Sequence, residues 1–209
     1  ISDDVIARPK FEDCIFIDNG VGSNNSYGEG GAIFVNNASP IFENCTFDSN
    51  YANVGGAINY SGNPNSSMDM SYIRNSSFNG NTAYSDGGDA NGGAIAVFSG
   101  QQFLFTNSTF NGNVATNNFG SSGGGAIYIS NQWDPQQEAA VIIINSRFTK
   151  NVVESQPGYK AEGGAILANS PFAMADSVVD SNFSSQAGGA IAIDMLSINK
   201  LGSNYKGFA

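Results

Sequence analysis

The sequence contains no histidine, two cysteines, one tryptophan and only eight lysines and arginines. Each scarcity removes a class of function. Without histidine there is no His-dependent catalytic triad and no imidazole proton relay. Two sulfur ligands without histidine make a zinc site implausible, and the sequence suggests no other cofactor. Eight cations against 18 carboxylates leave a formal charge of -10. The electrostatic footprint of a nucleic-acid binder or an anionic-membrane binder is therefore missing. No uninterrupted apolar stretch of about 18 residues is present, so direct membrane insertion through a helix is not expected. The chain opens at Ile1-Ser2-Asp3-Asp4 with no initiator Met and no signal-peptide pattern, which reads most simply as a segment of a longer protein. Charged residues make up 12% of the chain. Asn, Ser and Gly supply the polarity instead, as on many solvated extracellular surfaces.

What the chain does have is a repeat. Gly-Gly-Ala-Ile recurs at Gly30, Gly55, Gly92, Gly124, Gly163 and Gly188. Between these copies runs Phe-x-x-Asn, at Phe16/Asn19, Phe47/Asn50, Phe78/Asn81, Phe110/Asn113 and Phe148/Asn151, with a degenerate copy at Val179/Asn182. Consecutive copies lie 31, 31, 32, 38 and 31 residues apart. Such a period means stacked supersecondary units, none able to bury its apolar face alone.

Aligned on the Phe, the repeats resolve into columns. Two residues upstream stand Cys14, Cys45, Ser76, Ser108, Ser146 and Ser177. Three upstream stand Asp13, Asn44, Asn75, Asn107, Asn145 and Asp176. Five upstream stand Phe11, Phe42, Ile73, Phe105, Ile143 and Met174. Strand side chains alternate faces, so the inward parity must switch at the Asn/Asp column. Those residues tolerate left-handed backbone and predict a bend there. A second bend is expected at the Asn of Phe-x-x-Asn, and the Gly-Gly pair supplies unusual backbone angles or a close approach. A third strand follows, with Ile33 and Val35 facing inward.

The expected fold is an all-β parallel β-helix of about six rungs with three short strands per rung. At about 4.8 Å per rung, six rungs span roughly 29 Å. The repeat region covers about 11–194 of a single domain spanning 1–209, and 195–209 reads as a cap or the start of a further rung. The segments between Phe-x-x-Asn and Gly-Gly read as loops, long at Gly20 to Glu29, Thr82 to Asn91, Val114 to Gly123 and Val152 to Glu162. Further insertions leave the third strand at Ser61 to Asp69 and at Ser130 to Ala139, the second holding Trp133. Insertions confined to one corner of a repeat protein often build its working surface.

Phe-x-x-Asn paired with Gly-Gly-Ala-Ile resembles the double motif of the polymorphic outer-membrane protein repeat, known from chlamydial autotransporter adhesins. The resemblance implies a right-handed parallel β-helix exposed at a cell surface, commonly adhesive and sometimes oligomeric.

Candidate sites divide into ladders and surfaces. The Phe column (Phe16, Phe47, Phe78, Phe110, Phe148) and the Asn column (Asn19, Asn50, Asn81, Asn113, Asn151, Asn182) read as structural ladders, inside the fold and at a bend. Cys14 and Cys45 are rung-equivalents, open to a buried thiol stack or to a disulfide. Asn-x-Ser/Thr glycosylation signals occur at Asn24, Asn37, Asn44, Asn65, Asn75, Asn107 and Asn182; Asn24, Asn37 and Asn65 fall outside the ladder columns. Asp86-Gly-Gly-Asp89 lacks the repeated pattern of a calcium β-roll and reads as a solvated turn. Six residues before the Phe, on the outward parity, stand Ile41, Tyr72, Leu104, Ile142 and Ala173. An apolar column on an outer face suggests an interaction surface or a covering loop.

No catalytic cluster can be assembled, and a fold alone licenses no activity. The expectation is a non-enzymatic extracellular or cell-surface protein, an adhesin or a structural component of a coat or filament. Its expected partners are further copies or further turns of the same solenoid, joined through the outer column or the open ends, or a cell-surface protein or glycan. The main alternative is a carbohydrate-active β-helix enzyme. A lesser one is ice binding, for which the outward column Ile15, Thr46, Ser77, Thr109, Arg147 and Val178 is too irregular.

Overall fold

Three left-handed residues bend the chain in each repeat. The first column, Asp13, Asn44, Asn75, Asn107, Asn145 and Asp176, has φ between 47° and 55°, a backbone that Asn and Asp adopt readily. This bend lies where the sequence predicts it. The second column, Asp18, Ser49, Gly80, Gly112, Lys150 and Ser181, has φ between 54° and 64°. It stands one residue before the Asn of Phe-x-x-Asn, which was expected to be the bend itself. The Asn instead points inward, where its amide bonds to neighbouring turns. The third column is the first glycine of each Gly-Gly pair, with φ between 61° and 72°.

The second glycine has a different reason to be small. A Cβ on Gly56 or Gly93 would collide with the carbonyl oxygen of the corresponding glycine in the next turn.

The structure, a computed structural model, describes residues 7–22, 28–62, 70–98, 102–130 and 140–194. Every regular element among them is a strand, and every pairing between strands is parallel. The chain is a parallel β-helix. Its first sheet stacks Lys10–Glu12, Ile41–Glu43, Ser71–Arg74, Gln102–Thr106, Ala140–Ile144 and Phe172–Ala175. The second stacks Ile15–Ile17, Thr46–Asp48, Ser77–Asn79, Thr109–Asn111, Arg147–Thr149 and Val178–Asp180. The third stacks Ile33–Asn36, Ile58–Ser61, Ile95–Phe98, Ile127–Ser130, Ile166–Ala168 and Ile191–Ile193.

Three strands per rung is an undercount. A fourth sheet stacks Tyr51–Ala52, Thr82–Ser85, Val114–Asn117, Val152–Ser155 and Phe183–Ser184. A fifth stacks Ala90–Asn91, Ser122–Gly123 and Ala161–Glu162. Much of what reads as loop in the arc between Phe-x-x-Asn and Gly-Gly is thus strand. The physical reason is a small core of its own, where Ala83, Ala90, Ala115, Val153 and Ala161 pack together, buried. The insertions at Ser61 to Asp69 and Ser130 to Ala139 fall largely, and 195–209 entirely, outside the described residues.

The main core is built from the columns already named. Phe16, Phe47, Phe78, Phe110 and Phe148 stack nearly coplanar, with successive ring centroids 4.7, 4.7, 4.8 and 4.6 Å apart. That is the rung spacing, so strand pairing and ring stacking reinforce each other. Ile58, Ile95, Ile127 and Ile166 close the opposite wall, buried as their parity requires.

Tyr60 is one exception inside. Its ring meets Phe103 edge-on at 4.4 Å, but its hydroxyl is buried with no hydrogen-bond partner among the described residues. Burial holds this phenol well above its ordinary 10.0. A raised folded-state value means the stabilising contribution is complete below the unfolded-chain value and is lost as pH climbs through the folded one. Tyr60→Phe is therefore expected to gain about 1 kcal/mol at neutral pH, because it removes an unsatisfied buried hydroxyl. It should also blunt the loss of stability above about pH 10. Urea unfolding of both proteins at pH 7 and pH 10.5 checks this. A neutral-pH loss in the variant would contradict it.

Candidate functional site

The Asn ladder is the most ordered polar feature of the molecule. Asn50, Asn81, Asn113 and Asn151 are all fully buried. Each Oδ1 accepts from the backbone N–H and from the Nδ2 of the Asn in the preceding turn, for example Asn81 to Asn113 at 3.0 and 2.9 Å. Each Nδ2 also donates to a phenylalanine carbonyl in the preceding turn, as Asn113 does to Phe78 at 3.0 Å. The run extends to Asn19 at one end and to Asn182 at the other. Because the interior amides are fully engaged, this column holds the bend in place and has nothing left with which to bind a ligand.

The Cys/Ser column works in the same way. Ser76, Ser108, Ser146 and Ser177 each donate their hydroxyl to the carbonyl two residues back. They accept from the backbone N–H of the preceding turn, Cys45 to Ser76 at 3.1 Å being one case. Cys14 and Cys45 occupy two places in this ladder, and their thiols reach toward the carbonyls of Glu12 and Glu43 at 3.2 and 3.4 Å. Both are free thiols. Burial pushes the Cys45 thiol up, away from the reactive thiolate. Cys14 is half-buried and Cys45 buried.

The apolar outer column lies on the first sheet. Ile41, Tyr72, Leu104, Ile142 and Ala173 pair in register along the outside of the first sheet. The first four are half-buried rather than fully exposed. Arg74 lies over the Tyr72 ring at 4.3 Å, which partly covers the column with a cation.

The glycosylation signals separate by position. Asn37 is exposed in a left-handed turn, whereas Asn24 and Asn65 lie outside the described residues. Asn44, Asn75 and Asn107 are exposed at the first bend, and their amides bond along an outer ladder. Among the described residues no group of three or more His, Cys, Asp or Glu is placed to hold a metal ion.

What sequence columns did not reveal is a row of exposed aromatics in the arc between Phe-x-x-Asn and Gly-Gly. Tyr51, Tyr84, Phe119, Tyr159 and Phe183 are between 39% and 65% exposed, one in each turn from the second onward. They sit at different positions in arcs of different length, so alignment on the Phe scatters them. Asking which arcs hold one aromatic apiece would have found them.

Several of these rings are held. The Tyr84 hydroxyl donates to the Asp86 carboxylate and accepts from Asn118 Nδ2 at 3.0 Å. Asn118 also donates to Asp86 at 2.6 Å. These contacts hold the Asp86 carboxyl below its ordinary value, Tyr84 contributing most. Tyr51 packs against Gly20, where a Cβ would run into its ring. Phe119 follows a turn closed by its own N–H on Asn117 Oδ1 at 2.9 Å.

No protein-family model, curated protein or solved structure matches the chain.

Proposed function

We propose that this chain is a non-enzymatic part of an extracellular or cell-surface protein, acting as an adhesin or as a structural element of a coat or filament. The observation that carries this reading is the use made of the repeat's polar residues. The Asn, Ser and Cys columns are consumed in ladders that stiffen a rod, and variation is concentrated in the arcs on its outside. A rigid shaft with a variable flank suits display and contact better than turnover. The resemblance to polymorphic outer-membrane repeats supports it, as does a surface polar through Asn, Ser and Gly. Further turns or further copies of the same solenoid pack on the column Ile41, Tyr72, Leu104 and Ile142 or on the open ends, whose backbone groups invite strand addition.

The experiment has two arms. Antibody raised against the chain should label intact cells that produce the protein, and external protease should remove the signal. Incubation with neutral and acidic polysaccharides should release no new ends. Labelling only after permeabilisation, or turnover abolished by one carboxylate substitution, defeats this reading.

A further inference from the structure

We infer that the flank carrying Tyr51, Tyr84, Phe119, Tyr159 and Phe183 is a binding surface for an uncharged polysaccharide. This deepens the adhesive reading and rests on it for biological sense, though it is tested on the purified chain alone.

Five of the six exposed aromatic side chains among the described residues lie in this one arc of the solenoid; the sixth, Phe34, faces out from the third sheet. Nothing in the fold requires them there. The strand positions equivalent to Tyr51 and Phe183 are taken by Thr82, Val114 and Val152 in other turns. Tyr51 pairs in register with Thr82, and Tyr84 lies two residues further along that strand. One rung up and two residues along is a step of about 8 Å between the two backbone positions. Phe119 lies beyond Asn117, which pairs with Ser85, and Tyr159 lies beyond Ser155, which pairs with Asn117. The first four rings thus climb the flank on a diagonal, and Phe183 returns to the column of Tyr51.

The chemistry around the rings selects the occupant. A protein partner of ordinary size seeks a contiguous apolar core. Here each ring is set apart among hydroxyls, amides and carboxylates: Thr82, Thr116, Asp86, Asn118, Glu154 and Gln156. A sugar ring presents the matching surface, with C–H edges of positive potential for an aromatic face and hydroxyls around its rim for amides and carboxylates. Tyr84 and Tyr51 are already fixed, one by Asp86 and Asn118 and the other by Gly20, so little freedom is lost on binding. Charge narrows the class further. The arcs carry Glu29, Asp86, Asp89, Glu154 and Glu162 against one cation, Lys160, which is itself beside Glu162 and Asp194 at 3.6 and 3.5 Å. A sulfated or uronate polymer would be repelled, and a neutral one would not.

Affinity electrophoresis in native gels cast with xyloglucan, galactomannan, laminarin or amylose tests this, with alginate and heparin as polyanionic controls. At least one neutral polymer should retard the chain, and the triple variant Tyr51→Ala/Tyr84→Ala/Phe119→Ala should bind it about tenfold more weakly or worse. Phe34→Ala, which alters the other face, should bind as the parent does. All variants are compared only after their thermal midpoints are shown to match the parent. Retardation by polyanions alone overturns the proposal, as do no retardation by any neutral polymer, an unaffected triple variant, or equal loss in Phe34→Ala. Capture by an immobilised protein with no glycan retardation places the flank in a protein interface and also overturns it. Chain that is retarded but absent from the cell surface keeps this inference and defeats the functional reading above.

Discussion

Asn113→Asp is expected to cost about 4 kcal/mol of stability at pH 7 and markedly less at pH 3. Asn113 is fully buried and makes five hydrogen bonds. Its backbone N–H and its Nδ2 reach Asn151 Oδ1 at 3.0 and 2.9 Å, Nδ2 also reaches the Phe78 carbonyl at 3.0 Å, and its Oδ1 accepts twice from Asn81. An ionised carboxylate keeps the two acceptances and loses both side-chain donations. It also sets a second anionic oxygen against the Asn151 amide oxygen and the Phe78 carbonyl, in a fully buried site. The charged form is penalised, so the carboxyl's folded-state pKa rises above its unfolded value of about 3.9. A raised folded value gives a contribution that is present below the unfolded value and lost as pH rises through the folded one. The neutral acid restores one donor, which is why the deficit should shrink in acid. Asn113→Ala removes the same donors without adding charge, so its deficit should be nearly the same at both pH values. Urea unfolding followed by circular dichroism at pH 3 and pH 7 separates the cases. A pH-independent loss in Asn113→Asp would mean that the site admits water.

Why that column was legible, and others were not, follows from what each demands of its residue. The inner Asn must be Asn, since no other side chain of that length both donates and accepts in one plane. The first bend likewise announces itself, because six Asn or Asp in a row of repeats share one reason for left-handed backbone. The second bend holds Asp, Ser, Gly and Lys. It asks only for a left-handed residue facing solvent, so no one type dominates the column and the bend was expected one residue late. The extra strands were hidden for another reason. Segments such as Thr82–Ser85 and Val152–Ser155 bury one apolar side chain apiece, Ala83 and Val153, the first with Ser85 beside it, so the apolar alternation that marks a strand is faint. Arc lengths then vary from turn to turn, which breaks the alignment needed to see weak columns. The exposed aromatics were lost to the same variation. Fold was legible because its columns are held in register by pairing, while the candidate surface follows no register.

Gly93→Ala is expected to be as damaging as any core truncation, at about 3 kcal/mol or more, although it adds one methyl group to a backbone that strains no dihedral. Gly93 is the second glycine of its pair, and its φ is not in the left-handed region. The obstacle is distance. A Cβ there would strike the Gly125 carbonyl oxygen in the next turn and the backbone of Val114 beside it. Those atoms are backbone rather than the end of a side chain able to swing away. Gly93 N–H itself bonds the Gly124 carbonyl at 3.0 Å. Relief therefore requires the two turns to part, which loosens the Ala94-to-Ala126 and Ile95-to-Ala126 bonds that follow. Gly112 supplies the control. Its φ is +64° and a Cβ there meets nothing within 4 Å, and other turns place Asp18, Ser49 or Lys150 in the same bend. Gly112→Asn should change stability by no more than about 0.5 kcal/mol, since Asn accepts the left-handed region and a less flexible unfolded chain offsets the remaining strain. Thermal unfolding of the two variants should thus rank them opposite to what φ alone suggests: the glycine with ordinary backbone is indispensable, and the left-handed one is replaceable. Equal losses in both would show that conformational freedom, and not the approach of one turn to the next, is what the glycines supply.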